Sequence, residues 1–144
     1  MSTVFTKIIN GELPGRFVWQ DETAVAFLSI GPLATGHTLV VPREEVDLWT
    51  ELSEETVAHM MQIVQRIGNV QRQAFEAARA GVMIAGYEVP HTHIHVWPSN
   101  SLHDFNLDSV DNNPDPAVMD EAAQKIRQGL RDAGYGEFVP TDES

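Results

Sequence analysis

The spacing of hydrophobic positions changes along the chain, from short runs to long stretches with helical periodicity. Short apolar or alternating runs, separated by turn-forming residues, predict strands at residues 16–20, 24–28, 37–42, 81–86 and 91–97. Apolar residues that recur every three or four positions predict helices over residues 53–80 and 116–134, and residues 5–10 predict a short helical turn. The chain is therefore expected to form an α+β fold, with an antiparallel sheet of about five strands and two principal helices.

The boundaries of the long first helix are marked by polar residues and glycine. Ser53 is a favourable N-cap, and Glu54 and Glu55 lie in the first turn, where a carboxylate favours the helix dipole. Gly81 suits the C-terminal cap, so the helix is predicted to end near Ala80. The stripes expected to face the core are Val57, Met60, Met61, Val64 and Ile67 in this helix and Met119, Ala122, Ala123, Ile126 and Leu130 in the last one.

Composition and charge narrow the possible functions. The 144 residues, 42% of them hydrophobic and 21% charged, are typical of one globular domain, predicted to span residues 1–144. No apolar run is long enough to cross a bilayer, and residues 1–7 lack the pattern of a secretory signal, so a cytoplasmic protein without a membrane partner is expected. The absence of cysteine excludes disulfides and thiolate chemistry. The net charge of −12 disfavours nucleic acid but leaves a small anionic substrate possible.

Three of the six histidines fall within five residues, at His91, His93 and His95. Because side chains alternate between the faces of a strand, a strand here would place all three imidazoles on one face. Such a row suits a metal site, because imidazole is a common zinc ligand, and it also suits nucleophilic and acid–base chemistry. No HExxH helix and no clear carboxylate ligand accompany the row, so the spacing favours catalysis while leaving a metal site open.

The sequence around this row resembles a known family. Residues 89–97, Val-Pro-His-Thr-His-Ile-His-Val-Trp, fit the pattern of the histidine triad (HIT) superfamily, in which three histidines alternate with apolar residues. Three further segments, residues 5–14, 26–30 and 36–42, resemble the family's opening blocks in the same order. The resemblance covers about residues 4–98 and points to the bacterial nucleotide-binding and hydrolase branch, whereas residues 99–144 lie outside it.

The resemblance implies a HIT-like fold and an enzyme that hydrolyses or transfers nucleotides from phosphoramidates, dinucleoside polyphosphates or nucleotide-sugar-like esters. By motif position, His93 would attack the α-phosphorus and form a covalent nucleotidyl-histidine. His91 would orient it through a backbone carbonyl, His95 would contact the phosphate and the leaving group, and His37 would support the triad.

The same resemblance implies a binding site for a nucleotide and no cofactor. A loop containing Gly86, Glu88 and Val89 would present backbone N–H groups to the phosphate. Purine nucleotides are the family tendency, and a homodimer is expected, with the long helix as a plausible contributor. The residues expected to hold the nucleoside are Val4, Phe5, Ile8, Phe27, Leu28, Ser29 and Ile30.

Several positions depart from the family pattern. Ser29 stands where many relatives have an acidic residue that binds the ribose hydroxyls, and Tyr87 and Glu88 replace the usual polar residues of the phosphate loop. No structural zinc is expected, because the usual ligand positions hold Thr3, Thr6 and Glu45. These departures keep open a nucleotide-binding module with weak or lost catalysis, and the histidine row alone also allows a metal-dependent protein.

Overall fold

A five-stranded antiparallel sheet forms the centre of the fold in the computed structural model, which describes residues 2–141. The strand order is β1-β2-β3-β5-β4. The strands are β1 (Phe17–Gln20), β2 (Ala24–Leu28), β3 (Thr38–Pro42), β4 (Arg79–Met83) and β5 (Ile94–Ser99). The helices are α1 (Val4–Ile9), α2 (Glu54–Ala74) and α3 (Pro116–Leu130), so the predicted α+β class is confirmed.

Each helix begins at a side chain that caps its free N–H groups. The hydroxyl of Thr3 accepts a hydrogen bond from Thr6 N and starts α1, and the Ser53 hydroxyl accepts one from Thr56 N and starts α2. At α3 the carboxylate of Asp115 accepts from Ala117 N, one residue ahead of Pro116. The predicted helix starts at Ser53 and Pro116 are therefore confirmed.

Buried apolar residues lie on both faces of the sheet. On the helix face, residues of α2 and α3 pack against the strands, and α1 covers part of the opposite face, called here the cavity face. The helix-face core includes Val40, Ile94 and Val96 from the strands and Ile63, Ile67, Ile126 and Leu130 from the helices. The smaller cluster on the cavity face is formed by Phe5, Val25, Phe27, Leu39 and Val41.

The prediction that the long helix continues to Ala80 is wrong. The helix α2 ends at Ala74, and Glu76 then takes the left-handed region with a φ of 51°. Ala80 and Gly81 belong to β4, where they pair with Pro98 and Trp97 of β5. Pairing with a buried strand outweighs the helical pattern of this segment, and Gly81 is needed there for a different reason: an added Cβ would lie 2.8 Å from the Trp97 ring.

One position of the predicted stripe on α2 also differs. Met61 is exposed, whereas Ile63 and Val70, which are not in the predicted stripe, are buried. The five apolar residues predicted for the core face of α3 are all buried.

The predicted strand over residues 91–97 begins later and extends further than expected. Residues 91 and 92 bond to loops instead: His91 N donates to Val89 O and Thr92 N donates to Val46 O. The strand β5 begins at Ile94 and continues through Pro98. Pro98 is tolerated because the pairing of β5 with β3 ends at Val96, so the missing N–H falls where only β4 remains alongside.

Candidate active site

Two cross-strand rows of side chains form the floor of the site. Phe17, Phe27, Leu39 and His95 are successive partners across β1, β2, β3 and β5, and they therefore lie on one face. Ser29 N donates to His37 O at 2.9 Å, which places these two residues in the next row on that face. With strands about 4.8 Å apart, the first row measures roughly 14 Å from the aromatic end to the histidine end.

A cavity of about 910 Å³ lies over these rows. Its volume is near the upper end of the range of about 300–1,000 Å³ that small-molecule sites occupy. The structure brings thirteen of the fourteen predicted site residues to its walls: Val4, Phe5, Ile8, Phe27, Leu28, Ser29, Ile30, His37, Gly86, Glu88, Val89, His93 and His95. The remaining one, His91, is fully buried and lies behind His93.

The contacts of His93 fix which of its ring nitrogens carries the proton. Nδ1 lies 2.7 Å from the carbonyl oxygen of His91, and because a carbonyl only accepts, Nδ1–H donates. Burial lowers the pKa of His93 below its usual value of 6.5, although the hydrogen bond to His91 opposes the shift. The ring is therefore neutral at neutral pH and has its lone pair on Nε2.

Hydrogen bonds through His37 give His95 the tautomer opposite to that of His93. Leu33 N–H donates to His37 Nδ1 at 3.0 Å, so the proton of His37 is on Nε2, which lies 2.9 Å from His95 Nδ1. His95 Nδ1 therefore accepts, and its own proton is on Nε2. Burial, together with the neighbouring imidazole in each case, lowers the pKa of His37 to about 3 and that of His95 to about 4, so both rings are neutral at neutral pH.

The rings of His93 and His95 thus stand side by side, with centroids 4.9 Å apart, in complementary states. One has a free lone pair on Nε2, and the other has a donating N–H on Nε2. A lone pair beside a hydrogen-bond donor is suited to attack on an electrophile whose oxygens gain negative charge in the transition state.

His91 acts as a support for this pair. Its Nε2–H donates to Pro42 O at 2.8 Å, and Nδ1 is hydrogen-bonded to the hydroxyl of Thr3, also at 2.8 Å. Thr3 N and the Thr6 hydroxyl in turn donate to one oxygen of Glu45, at 2.9 and 2.6 Å. These bonds, chiefly that from Thr6, lower the pKa of the Glu45 carboxyl.

The positions at which the family resemblance expects zinc ligands are thus bonded to one another. Thr3, Thr6 and Glu45 link α1 and the loop after β3 to the ring of His91. Within residues 2–141, no group of three His, Cys, Asp or Glu side chains is placed to hold a metal ion.

The loop of residues 86–89, which the family resemblance predicts to bind phosphate, has backbone N–H groups available to a ligand. Its N–H groups take part in none of the hydrogen bonds found within residues 2–141. Tyr87 and Glu88 are exposed, and the charge of Glu88 opposes the lowering of the His93 pKa by burial. Ser29 is buried and its hydroxyl accepts from Gly31 N at 3.2 Å, so it retains its O–H and one lone pair for a ligand.

Sequence reasoning missed several groups that position the histidines. The Gln71 amide reaches from α2 to Gly36 O at 2.9 Å and Val96 O at 3.0 Å, and so ties the turn before His37 to the strand of His95. Gly36 has a φ of 95°, and an added Cβ would lie 2.6 Å from the Phe75 ring. The only signal in the sequence was a glutamine adjoining the buried stripe of α2, which does not reveal its partners.

The fold and the site together define an α+β protein with paired histidines at one end of a ligand-sized cavity. A model of the HIT domain family matches residues 10–102. The chain belongs to the HIT family. Within residues 2–141, no helix combines the length and the apolar character that crossing a membrane requires.

Two relatives show the range of this similarity. An uncharacterised HIT-like protein of Borreliella burgdorferi is 36% identical over 102 residues, covering 66% of this chain and 73% of the relative. An adenosine 5′-monophosphoramidase of Schizosaccharomyces pombe is 31% identical over 99 residues, covering 68% of this chain and 74% of the relative. The family thus includes hydrolases of nucleotide phosphoramidates.

Two solved structures share the fold. A zinc-bound histidine triad protein from Mycobacterium smegmatis has a TM-score of 0.78 and 31% identity, covering 92% of this chain and 96% of that one. A hypothetical histidine triad nucleotide-binding protein from Sulfolobus tokodaii has a TM-score of 0.77 and 25% identity, covering 94% of this chain and 98% of that one.

Proposed function

We propose that the protein is a nucleotidyl hydrolase or transferase that works through a covalent intermediate on His93. The observation that carries this proposal is the pairing of protonation states, a lone pair on His93 Nε2 beside an N–H on His95 Nε2. Two neutral imidazoles of opposite polarity are what an attack on phosphorus needs, because one supplies electrons and the other stabilises charge on oxygen.

The substrate class follows from the shape and chemistry of the cavity. The rings of Phe5 and Phe27, with centroids 5.7 Å apart, suit a flat nucleobase, and Phe5 also lies 4.8 Å from the ring of His93. The available N–H groups of residues 86–89 suit a phosphate near the histidine end. The likeness to a monophosphoramidase supports a purine nucleoside phosphoramidate or a related nucleotide ester as the substrate. The proposed site consists of the residues predicted from the sequence, and the proposed reaction uses no cofactor.

The reaction proceeds in two displacements at phosphorus. His93 Nε2 attacks the α-phosphorus, the bond to the leaving amine breaks, and that amine takes a proton from water. The proton of His93 stays on Nδ1 and remains hydrogen-bonded to the His91 carbonyl oxygen, which stabilises the positive charge of the nucleotidyl ring. His95 Nε2–H donates to a phosphate oxygen throughout. Water then attacks phosphorus and gives a proton to the hydroxide left from the first step. The bond between phosphorus and His93 Nε2 breaks, its electron pair returns to Nε2, and the nucleotide leaves.

The decisive experiment is intact mass spectrometry after a rapid, acid-free quench with an adenosine phosphoramidate. The wild type should gain the mass of one adenylyl group, and His93→Ala should gain none while remaining folded. His103→Ala is the matched control, because His103 is exposed and does not line the cavity. It should behave as wild type.

Two results would contradict the proposal. Full activity in His93→Ala would remove the nucleophile assignment. Nucleotide binding without any adduct or AMP release in the wild type would instead indicate a binding module.

We also propose a homodimer. The strand β4 is at the edge of the sheet, so one side of its backbone is unpaired, and Val82 on this strand is exposed. Met61 on α2 and the neighbouring Leu48 and Trp49 are exposed as well. Light scattering at micromolar concentration should give twice the chain mass, and Val82→Lys should shift it toward the monomer. A monomeric wild type would overturn this assembly.

A further inference from the structure

The segment after the triad strand, residues 102–112, crosses the rim of the cavity and is called here the strap. At one end Phe105 packs on Trp97 of β5, with ring centroids 4.8 Å apart. Further along, Asp111 N donates to Pro32 O at 3.0 Å. The chain then enters α3, where Asp120 meets Arg16, next to β1, at 2.7 Å. The strap and the start of α3 therefore run from the β5 side of the cavity to the β1 side.

The cavity has one carboxylate near each of its two ends. Among the described residues, 2–141, the acidic side chains that line it are Glu88 and Asp120. Glu88 acts electrostatically on His93. Asp120 is held by Arg16, whose carbonyl accepts from Leu28 N at 3.1 Å, so the pair lies beside the strand end that carries Ser29. This end is three strand intervals, roughly 14 Å, from β5.

The chemistry of the Asp120 end fits hydroxyl groups better than an anion. Arg16 Nε binds Oδ1 of Asp120, and no hydrogen bond within residues 2–141 uses Oδ2. The ion pair is neutral as a whole, so it offers a further phosphate no net positive charge. A carboxylate fixed by a guanidinium is instead an acceptor for the O–H groups of a sugar, and the nearby Asn112 amide and Ser29 hydroxyl add polar groups to the same cavity.

We propose that Asp120, positioned by Arg16, binds the vicinal hydroxyls of the ribose of the bound nucleotide. This inference rests on the proposed function, because it assumes that the cavity holds a nucleotide. It assigns recognition of the sugar hydroxyls to a residue of α3, which lies outside residues 10–102 that the family model matches.

The test compares equilibrium binding of AMP with that of 2′-deoxy-AMP and 3′-deoxy-AMP by titration calorimetry. The wild type should bind AMP about tenfold more tightly than either analogue, which is the factor expected from losing a hydrogen bond to a charged group. Asp120→Ala should bind all three ligands with nearly equal affinity. Glu121→Ala is the matched control, because Glu121 is the next residue on α3 and does not line the cavity; it should keep the tenfold preference.

The melting temperature of Asp120→Ala should remain close to that of wild type, because an exposed ion pair stabilises little. A tenfold preference retained by a folded Asp120→Ala variant would overturn the proposal. Tighter binding of adenosine 3′,5′-bisphosphate than of AMP to the wild type would also overturn it, because the subsite would then belong to an anion. Failure of every nucleotide to bind would overturn the proposed function along with it, whereas AMP binding without sugar discrimination would overturn the subsite alone.

Discussion

The two faces of the central sheet are built from the same strands but have different roles. On β5, Ile94 and Val96 face the helices, whereas His95 faces the cavity. The helix face buries apolar side chains that need no partner. The cavity face carries four imidazoles, and both ring nitrogens of His37 and His91 are hydrogen-bonded within the protein. His93 and His95 each use only Nδ1 in this way, so Nε2 of each remains available. One face therefore supplies stability, and the other keeps two nitrogen atoms available for chemistry.

The largest effect that would sharpen this comparison is expected for His95→Ala. Removing the Nε2–H donor should lower the rate of adenosine phosphoramidate hydrolysis by about 10²–10³-fold, the usual loss when one donor to a transition-state oxygen is removed. The free energy of unfolding should change far less than the barrier to reaction. Stopped-flow kinetics and urea titration of the same samples measure both, and a variant that loses stability but keeps its rate would reverse the roles assigned to the two faces.

The matching change on the helix face is Ile67→Ala. Ile67 is fully buried between α2 and the sheet, so the truncation should lower the free energy of unfolding by about 2–5 kcal/mol. The rate per folded molecule should stay near the wild-type value at 15 °C, because no atom of Ile67 lines the cavity. Urea titration gives the stability, and a rate loss as large as that of His95→Ala would show that the faces are not separable.

The smallest effect is a pH dependence that the cavity face alone should produce. The pKa of His37 is about 3 in the folded protein and 6.5 when exposed, so below pH 6.5 the unfolded state takes up a proton that the folded state does not. This contribution to stability is complete above pH 6.5 and is lost as the pH falls, by up to about 1.4 kcal/mol per unit. Urea titrations at several values between pH 6.5 and 5 give the free energy of unfolding as a function of pH. This free energy should fall less steeply with decreasing pH in His37→Asn than in the wild type, and an equal dependence on pH in both would refute the buried neutral ring.

The sequence predicts the number of strands and the histidine motif because both depend on local spacing. The expectation of three histidines on one strand face is wrong, because His91 and His93 precede β5 and only His95 lies on it. The start of α2 at Ser53 and the strand β2 follow from capping and alternation, and the HIT family follows from four ordered segments. The end of α2 was wrong because long-range pairing with β5 decides the structure of residues 79–83. The cytoplasmic location stays a prediction.

The finer arrangement of the site depends on contacts between residues far apart in the chain. The protonation of His95 is set by Leu33 N–H through His37, and no spacing rule connects these positions. Asp120 meets Arg16 across 104 positions, so the strap and α3 enter the cavity only once the chain has folded. Residue types indicated which chemistry to expect, but the direction of each proton came from three-dimensional contacts.

The amide of Gln71 has a consequence for how the protein fails on heating. It is fully buried and joins α2 to Gly36 and Val96, which flank the histidines in the chain. If α2 detaches, these carbonyls lose their partner at the same moment as the hydrophobic core opens. Inactivation and melting should therefore follow one curve, without a range of temperature in which the molecule is folded but inert.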